Sequence, residues 1–168
     1  TVSLNYGQQS ATYIRQIPIT NNSPAVSGGT ALAYSIDPAL PNGLALNNLT
    51  GVISGTATGL LPSTSYHIIA ILTSGSSVST NIHITVNENP PSALIYATNP
   101  AVYTISSAIA SNAPTASGGD ITSYSSAPAL PAGLALDPTS GVISGTPTAV
   151  SAAANYVITA TNAGGSTT

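Results

Sequence analysis

The sequence predicts an all-β protein built from two tandem copies of one β-sandwich domain. Three observations predict this fold class: two halves that align at a fixed offset, short runs of β-branched residues, and a proline or glycine at roughly every tenth position. Frequent proline and glycine exclude long helices. Six or seven short strands in roughly 80–90 residues are typical of a two-sheet sandwich.

The repeat gives the domain organisation. An offset of 90 residues aligns the two halves without a gap, and 32 of the 78 comparable positions are identical. Residues 39–46 match 129–136, residues 51–56 match 141–146, and all eight tyrosines align in pairs. We therefore expect one domain over residues 1–88 and a second over residues 89–168.

The strands of each copy follow from a period of two. Tyr66–Leu72 and Ile82–Val86 are β-branched runs that predict two paired strands, with Ser74–Ser77 as the hairpin loop between them. In the second copy, the same period places Tyr156, Ile158 and Ala160 on the core face.

The period also predicts an outward-facing apolar pair in the first copy. Ile69 and Ile71 occupy positions at which the second copy has Thr159 and Thr161. Outward isoleucines on a strand suggest contact with a neighbouring chain or domain, so both are candidate assembly contacts.

The paired motifs resemble a known domain family. They run from Ser27-Gly28-Gly29 through Ala39–Leu46 and Gly51–Thr56 to Tyr66, and they recur in the second copy. The pattern resembles an immunoglobulin-like domain family that is also described as haemagglutinin-associated and is related to the cadherin-like bacterial repeats. The resemblance covers essentially the whole chain. It implies extracellular or cell-surface tandem modules that serve spacing, adhesion and assembly, and it supplies no shared catalytic residues.

The composition excludes several function classes. Charged residues are 3% of the chain, and a single Lys or Arg cannot neutralise a row of phosphates, so no nucleic-acid binding is expected. Without cysteine there is no thiol nucleophile and no cysteine-ligated zinc. No apolar run approaches about 18 residues, so no membrane insertion is expected. We find no Ser-His-Asp set on corresponding elements, and we expect neither an enzyme nor a cofactor.

The few titratable residues give no convincing metal site. His67 and His83 lie on neighbouring predicted strands and could approach one another, but two imidazoles without a carboxylate make a poor site. The junction between the copies offers only Glu88, whereas calcium takes 6–8 oxygen ligands. Asp37 and Asp137 precede prolines and are expected to stabilise turns or to be solvated.

The second copy is shorter than the first. The first copy continues past Val78 into a strand that ends at Val86, whereas the second stops at Thr168, the equivalent of Val78. We expect the second domain to lack its own last strand and to expose an unpaired sheet edge. Two explanations stay open: the chain is cut from a longer array, or another subunit supplies the strand.

The N-terminal segment is a candidate donor of that strand. Val2, Leu4 and Tyr6 are apolar at alternate positions, as a donated strand requires. Against this, Leu4 and Tyr6 match Leu94 and Tyr96, which look like the first strand of each domain itself.

The function predicted from the sequence is that of a non-enzymatic extracellular structural module. It would assemble end to end in a surface filament or pilus-like polymer, with strand donation as a candidate mechanism and copies of itself or neighbouring repeats as partners. The alternative is an adhesive or carbohydrate-binding spacer of a larger secreted or surface protein, with glycans as partners. Asn21 and Asn48 lie in glycosylation sequons.

Overall fold

The computed structural model describes all of residues 1–168, which form strands and turns and no helix. The prediction of an all-β chain is therefore confirmed. The chain divides into two compact units, Thr1–Asn87 and Glu88–Thr168, called unit 1 and unit 2 below. No helix long and apolar enough to span a bilayer is present.

Unit 1 has eight strands in three sheets. One sheet has four strands in the order β2-β8-β7-β4, β1 pairs with β3, and β5 pairs with β6. The strands are β1 (Ser3–Tyr6), β2 (Ser10–Ile14), β3 (Pro24–Ser27), β4 (Ala31–Asp37), β5 (Leu44–Leu46), β6 (Ile53–Gly55), β7 (Leu61–Leu72) and β8 (Ser77–Asn87).

The hairpin of β7 and β8 is longer than the β-branched runs that predict it. Strand β7 begins at Leu61 because β8 continues to Asn87 and pairs with the added length. The register shifts between Leu61 and Thr64. Pro62 lies in this irregular stretch, where a residue without an N–H is tolerated.

The core of unit 1 lies between the four-stranded sheet and the remaining strands. Ile68, Ile82 and Ile84 are fully buried, and alternate residues of β7 and β8 point inward. Strand β1 adds Leu4 and Tyr6 to the same cluster. Because both layers contribute side chains to one core, the unit is a two-layer β-sandwich.

Unit 2 has seven strands and a smaller principal sheet. Its three-stranded sheet has the order β11-β14-β15, β9 pairs with β10, and β12 pairs with β13. The strands are β9 (Pro91–Tyr96), β10 (Pro114–Gly118), β11 (Ser123–Ala127), β12 (Leu134–Leu136), β13 (Ile143–Gly145), β14 (Val157–Asn162) and β15 (Gly165–Thr167).

Local features recur in both units. The Tyr6 hydroxyl donates a hydrogen bond to the carbonyl oxygen of Gly51 at 2.6 Å, and Tyr96 donates to Gly141 at 2.5 Å. In each unit the bond joins the first strand, β1 or β9, to the turn that precedes β6 or β13. It supplies the partner that a buried tyrosine hydroxyl needs.

The repeated Pro-x-Gly turn also has a steric reason. Gly43 has a φ of 92°, a conformation that L side chains rarely adopt. A Cβ at this position would lie 1.9 Å from the carbonyl oxygen of Thr56. The turn therefore requires glycine, and Gly133 repeats the geometry in unit 2.

Candidate assembly surface

The second half of β8 closes the sandwich of unit 1. It lies between two strands, antiparallel to β7 and parallel to β2. Ile84 faces Thr64 on one side and Ala11 on the other. Ile82 and Ile84 are fully buried, and Val86 is almost so. Three apolar side chains of this strand thus seal one edge of the core.

Residues 88–168 leave the equivalent edge of unit 2 unpaired. Strand β15 pairs with β14 only at Ala160, Thr161 and Asn162. Val157, Ile158 and Thr159 have no partner strand on that side, although they pair with β11 on the other. In unit 1 the equivalent residues, 67–69, pair with Asn81, Thr80 and Ser79 of β8.

Two segments of unit 2 at the same edge are not strands, although their counterparts in unit 1 are. Residues 100–104 correspond to β2 of unit 1, and residues 151–155 correspond to the first part of β7. Neither segment is a strand in unit 2. Both unit 1 segments pair with the second half of β8, and residues 88–168 contain no counterpart of that half-strand.

Side chains around the open edge are more exposed than their counterparts. Tyr13 and Tyr66 are buried in unit 1, whereas Tyr103 and Tyr156 are half-buried. Val102 is 92% exposed and lies next to Tyr103. We define the open edge of unit 2 as residues 100–104 together with 151–159.

The core-face prediction for β14 is confirmed. Ala160 is fully buried, Ile158 is nearly so, and Tyr156 is half-buried at the open edge. Ala160 pairs across the sheet with Tyr124 on β11. Of these three candidate contacts, Tyr156 is therefore the one that presents the most surface to another strand.

The N-terminal candidate donor is already used within unit 1. Strand β1 pairs antiparallel with β3, and Leu4 and Tyr6 are buried in the core of their own unit. Val2 is 41% exposed. Burial, with Tyr34 nearby, raises the pKa of Tyr6 far above its usual value. Leu4 and Tyr6 can contact another chain only if β1 leaves β3.

The outward face of β7 carries the two candidate isoleucines. Ile71 is exposed and pairs across the sheet with Ala33, and Ile69 is half-buried and pairs with Ser35. Their small neighbours leave both isoleucines accessible.

The two histidines lie on the exposed face of the same hairpin. His67 is opposite Asn81, and its Nδ1 atom lies 2.8 Å from the Asn81 Oδ1 atom. His83 is opposite Ser65, one diagonal step away. The structure has no group of three or more His, Cys, Asp or Glu residues that could hold a metal ion.

One of the two aspartates has a defined turn role. The Asp137 Oδ1 atom accepts the backbone N–H groups of Thr139 and Ser140, each at 2.8 Å. These bonds, the one from Ser140 first, lower the pKa of Asp137. Asn47 accepts two backbone N–H groups at the same place in unit 1. Asp37 ends β4 and is exposed.

The two sequon asparagines are exposed, whereas none of the tyrosines is. Asn21 and Asn48 are both exposed in loops of unit 1. Every tyrosine is buried or half-buried, so the structure offers no fully exposed aromatic platform of the kind that sugars stack on.

Three buried asparagines hydrogen-bond to the backbone, and these roles were not predicted from the sequence. Asn22 exchanges two hydrogen bonds with the backbone of Gln8, and Asn112 does the same with Thr98. The signal that could have revealed them is their pairing at the 90-residue offset. Asn162 has no such signal, because unit 1 has Leu72 there.

Comparison with known proteins identifies the architecture. A family model described as "Putative Ig domain" matches residues 1–87 and again residues 85–168. Comparison with curated protein sequences gives no match. Among solved structures, the chain is similar to the insect immune protein hemolin, with a TM-score of 0.51 and 13% identity, over 99% of this chain and 44% of hemolin.

Two further solved structures are similar to the chain. Titin domains z1z2 in complex with telethonin align over 99% of this chain and 92% of theirs, with a TM-score of 0.48 and 14% identity. The BIgI domain of beta protein from S. agalactiae, bound to CEACAM1, aligns over 52% of this chain and 98% of its own, with a TM-score of 0.37 and 14% identity. At these identities the likeness concerns the fold alone, and the tandem immunoglobulin-like domains rest on the family model.

Proposed function

Because the chain belongs to this family of Ig domains, in two tandem copies, we propose that it is a non-enzymatic extracellular structural module that joins copies of itself end to end. The product is a surface filament or pilus-like polymer. The joining step is the addition of a β-strand from one copy to the open edge of unit 2 in the next.

The open edge of unit 2 is the observation that carries this proposal. A sheet edge with free backbone groups and half-buried apolar side chains is a template for an added strand. Unit 1 shows what the added strand must look like, since the two units share one fold. It should be antiparallel to β14, parallel to residues 100–104, and apolar at three alternate positions equivalent to Ile82, Ile84 and Val86.

The energy of strand addition favours a covalently supplied or locally concentrated donor. Burying three side chains of this size stabilises by about 5–9 kcal/mol. Association costs at least about 4 kcal/mol in lost translational and rotational freedom. The remainder, at most about 5 kcal/mol, corresponds to a dissociation constant of roughly 0.2 mM or weaker for a free peptide. A subunit in a polymer, held by further contacts, avoids most of that cost.

The donor we propose is the N-terminal strand of a second copy. Strand β1 is four residues long and pairs with β3 alone, whereas in the open edge it would lie between two segments. Val2, Leu4 and Tyr6 have the alternate spacing of the strand that closes unit 1. The exchange replaces one pairing by another, which makes strand swapping a low-cost route to assembly.

Disulfide locking tests this donor directly. Ser3 and Ser27 are opposite one another in the antiparallel pair of β1 and β3, with their hydroxyl oxygens 2.6 Å apart. This spacing suits a disulfide between cysteines placed there, and the chain has no other cysteine. The oxidised S3C/S27C protein should remain monomeric, and reduction should restore assembly. Equal assembly in both states would exclude β1 as the donor.

Electron microscopy of the full chain tests the function itself. We expect fibres from the unmodified protein and dispersed particles from a variant that carries a second copy of residues 79–88 after Thr168, which fills the open edge internally. A matched control carries the same extension with serine in place of Ile82, Ile84 and Val86, and it should still form fibres. Dispersed particles from all three proteins would contradict assembly and favour the role of a spacer in a larger protein.

A further inference from the structure

The segment that leads into unit 2 is held by a buried amide. The Asn162 side-chain Nδ2 atom donates to the carbonyl oxygen of Asn89 at 2.8 Å and to that of Asp120 at 3.1 Å. Its Oδ1 atom accepts the backbone N–H of Gly164 at 2.8 Å. Asn162 is buried, and these three bonds satisfy both of its donor hydrogens and one acceptor.

Glycines bring the backbone of unit 2 close to this segment. A Cβ on Gly119 would lie 2.1 Å from the carbonyl oxygen of Asn89, and one on Gly118 would lie 2.2 Å from that of Pro90. A Cβ on Gly164 would lie 2.6 Å from the carbonyl oxygen of Glu88. Side chains at these three positions would push the segment away, so the contact depends on glycine.

Unit 1 lacks two of these features. At the 90-residue offset, Asn162 corresponds to Leu72 and Gly164 corresponds to Ser74. Leu72 is buried but has no amide to donate. The serine Cβ would occupy the place where Gly164 meets the leading segment. Unit 1 therefore cannot hold a preceding chain segment in this way.

We infer that unit 2 carries a binding surface for the extended Asn89-Pro90-Pro91 segment, formed by Asn162 and the three glycines. The partner this surface fits is a proline-rich stretch that enters a repeat. Prolines have no backbone N–H to satisfy, and the carbonyl oxygen that accepts from Asn162 belongs to Asn89, directly before them. Their fixed φ also reduces the entropy lost when the segment binds. The segment is thus a bound part of unit 2.

Limited proteolysis of the full chain tests this inference. Glu88 is the only glutamate, so a glutamyl endopeptidase that is selective for glutamate cuts directly before the bound segment. The Asn162→Leu variant carries the residue of unit 1 and loses both bonds to the carbonyl oxygens. We expect cleavage after Glu88 to become about tenfold faster. Gly164→Ser, also taken from unit 1, should have the same direction of effect through its steric conflict.

Two controls separate local release from general unfolding. Thr161→Ile is the adjacent exchange taken from unit 1, and it should leave the cleavage rate unchanged. Far-ultraviolet circular dichroism at the digestion temperature should show both test variants folded. Wild-type cleavage rates in folded Asn162→Leu and Gly164→Ser, or an equal acceleration in Thr161→Ile, would overturn the inference. Faster cleavage that occurs only in a variant that is unfolded at that temperature would also overturn the inference.

Discussion

Filling the open edge of unit 2 should stabilise that unit strongly. The perturbation is the extension of the chain by a second copy of residues 79–88 after Thr168, compared with the same extension carrying serine at the three apolar positions. The two extended chains have equal length and nearly equal chain entropy. Their difference therefore isolates the burial of two isoleucines and one valine.

The magnitude follows from the burial seen in unit 1. Ile82 and Ile84 are fully buried there and Val86 is 2% exposed, so full burial is the right reference. Three such side chains are worth about 5–9 kcal/mol, and up to roughly 40% of this is lost because the unfolded chain already buries some surface. At least about 3 kcal/mol remains. For a domain of this size, that raises the melting temperature by roughly 12 °C or more.

Differential scanning calorimetry of the full chain in the oxidised S3C/S27C form, in which β1 stays in unit 1 in every variant, measures the effect with an internal control. The transition of unit 1, whose own β8 is unchanged, should stay at one temperature in all variants. The transition of unit 2 should rise with the apolar extension and not with the serine extension. Equal transitions for the two extensions would refute the reasoning, because the open edge would then not recognise apolar side chains at the register of β8.

Four further predictions test the tyrosine bonds, the pH dependence of stability, the outward face and the protease sensitivity. Tyr6→Phe should destabilise unit 1 by about 1–3 kcal/mol in urea unfolding, because it leaves a carbonyl oxygen unpaired in the core, whereas Tyr96→Phe should cost less since that ring is half-buried. Burial of Tyr96, together with nearby Tyr124, raises the pKa of Tyr96 to about 12. The stability that Tyr96 contributes should therefore be complete below pH 10 and be lost as the pH rises from 10 to 12. Absorbance titration at 295 nm, with Tyr96→Phe as control, measures this pKa. Replacing Ile69 and Ile71 by threonine should weaken self-association in analytical ultracentrifugation and leave folding nearly intact; unfolding of unit 1 would show that the pair belongs to the core. Trypsin should cut the denatured chain only after Arg15, and mass spectrometry should find two fragments.

The sequence was informative wherever a local rule controls the structure. The 90-residue repeat gave two domains of one kind, and a period of two assigned the faces of β7 and β14 correctly. Turn chemistry identified the Pro-x-Gly turn, whose Gly43 has a positive φ. The strand faces and the turn depend on residues within a few positions of one another.

Features that depend on distant pairing were not predictable in the same way. The first part of β7, from Leu61 to Ser65, is polar and contains a proline, and it is a strand because β8 lies beside it. The buried role of Asn162 depends on carbonyl oxygens 42 and 73 residues away. No local pattern distinguishes such an asparagine from a solvated one, since its partners are brought together only by the fold.

The two units differ most at the edge that the second half of β8 closes in unit 1, where that strand pairs with both β2 and β7. Tyr13 and Tyr103 are the same residue at the same repeat position, yet the first is buried and the second is half-buried. Residues 1–87 form a closed sandwich, whereas residues 88–168 leave one edge unpaired, so the strand-accepting surface that we propose on unit 2 has no equivalent on unit 1. A contact between two different surfaces is heterologous, and unless its rotation closes a ring it adds subunits without limit. In the assembly that we propose, this asymmetry between two similar domains would favour head-to-tail growth over formation of a closed dimer.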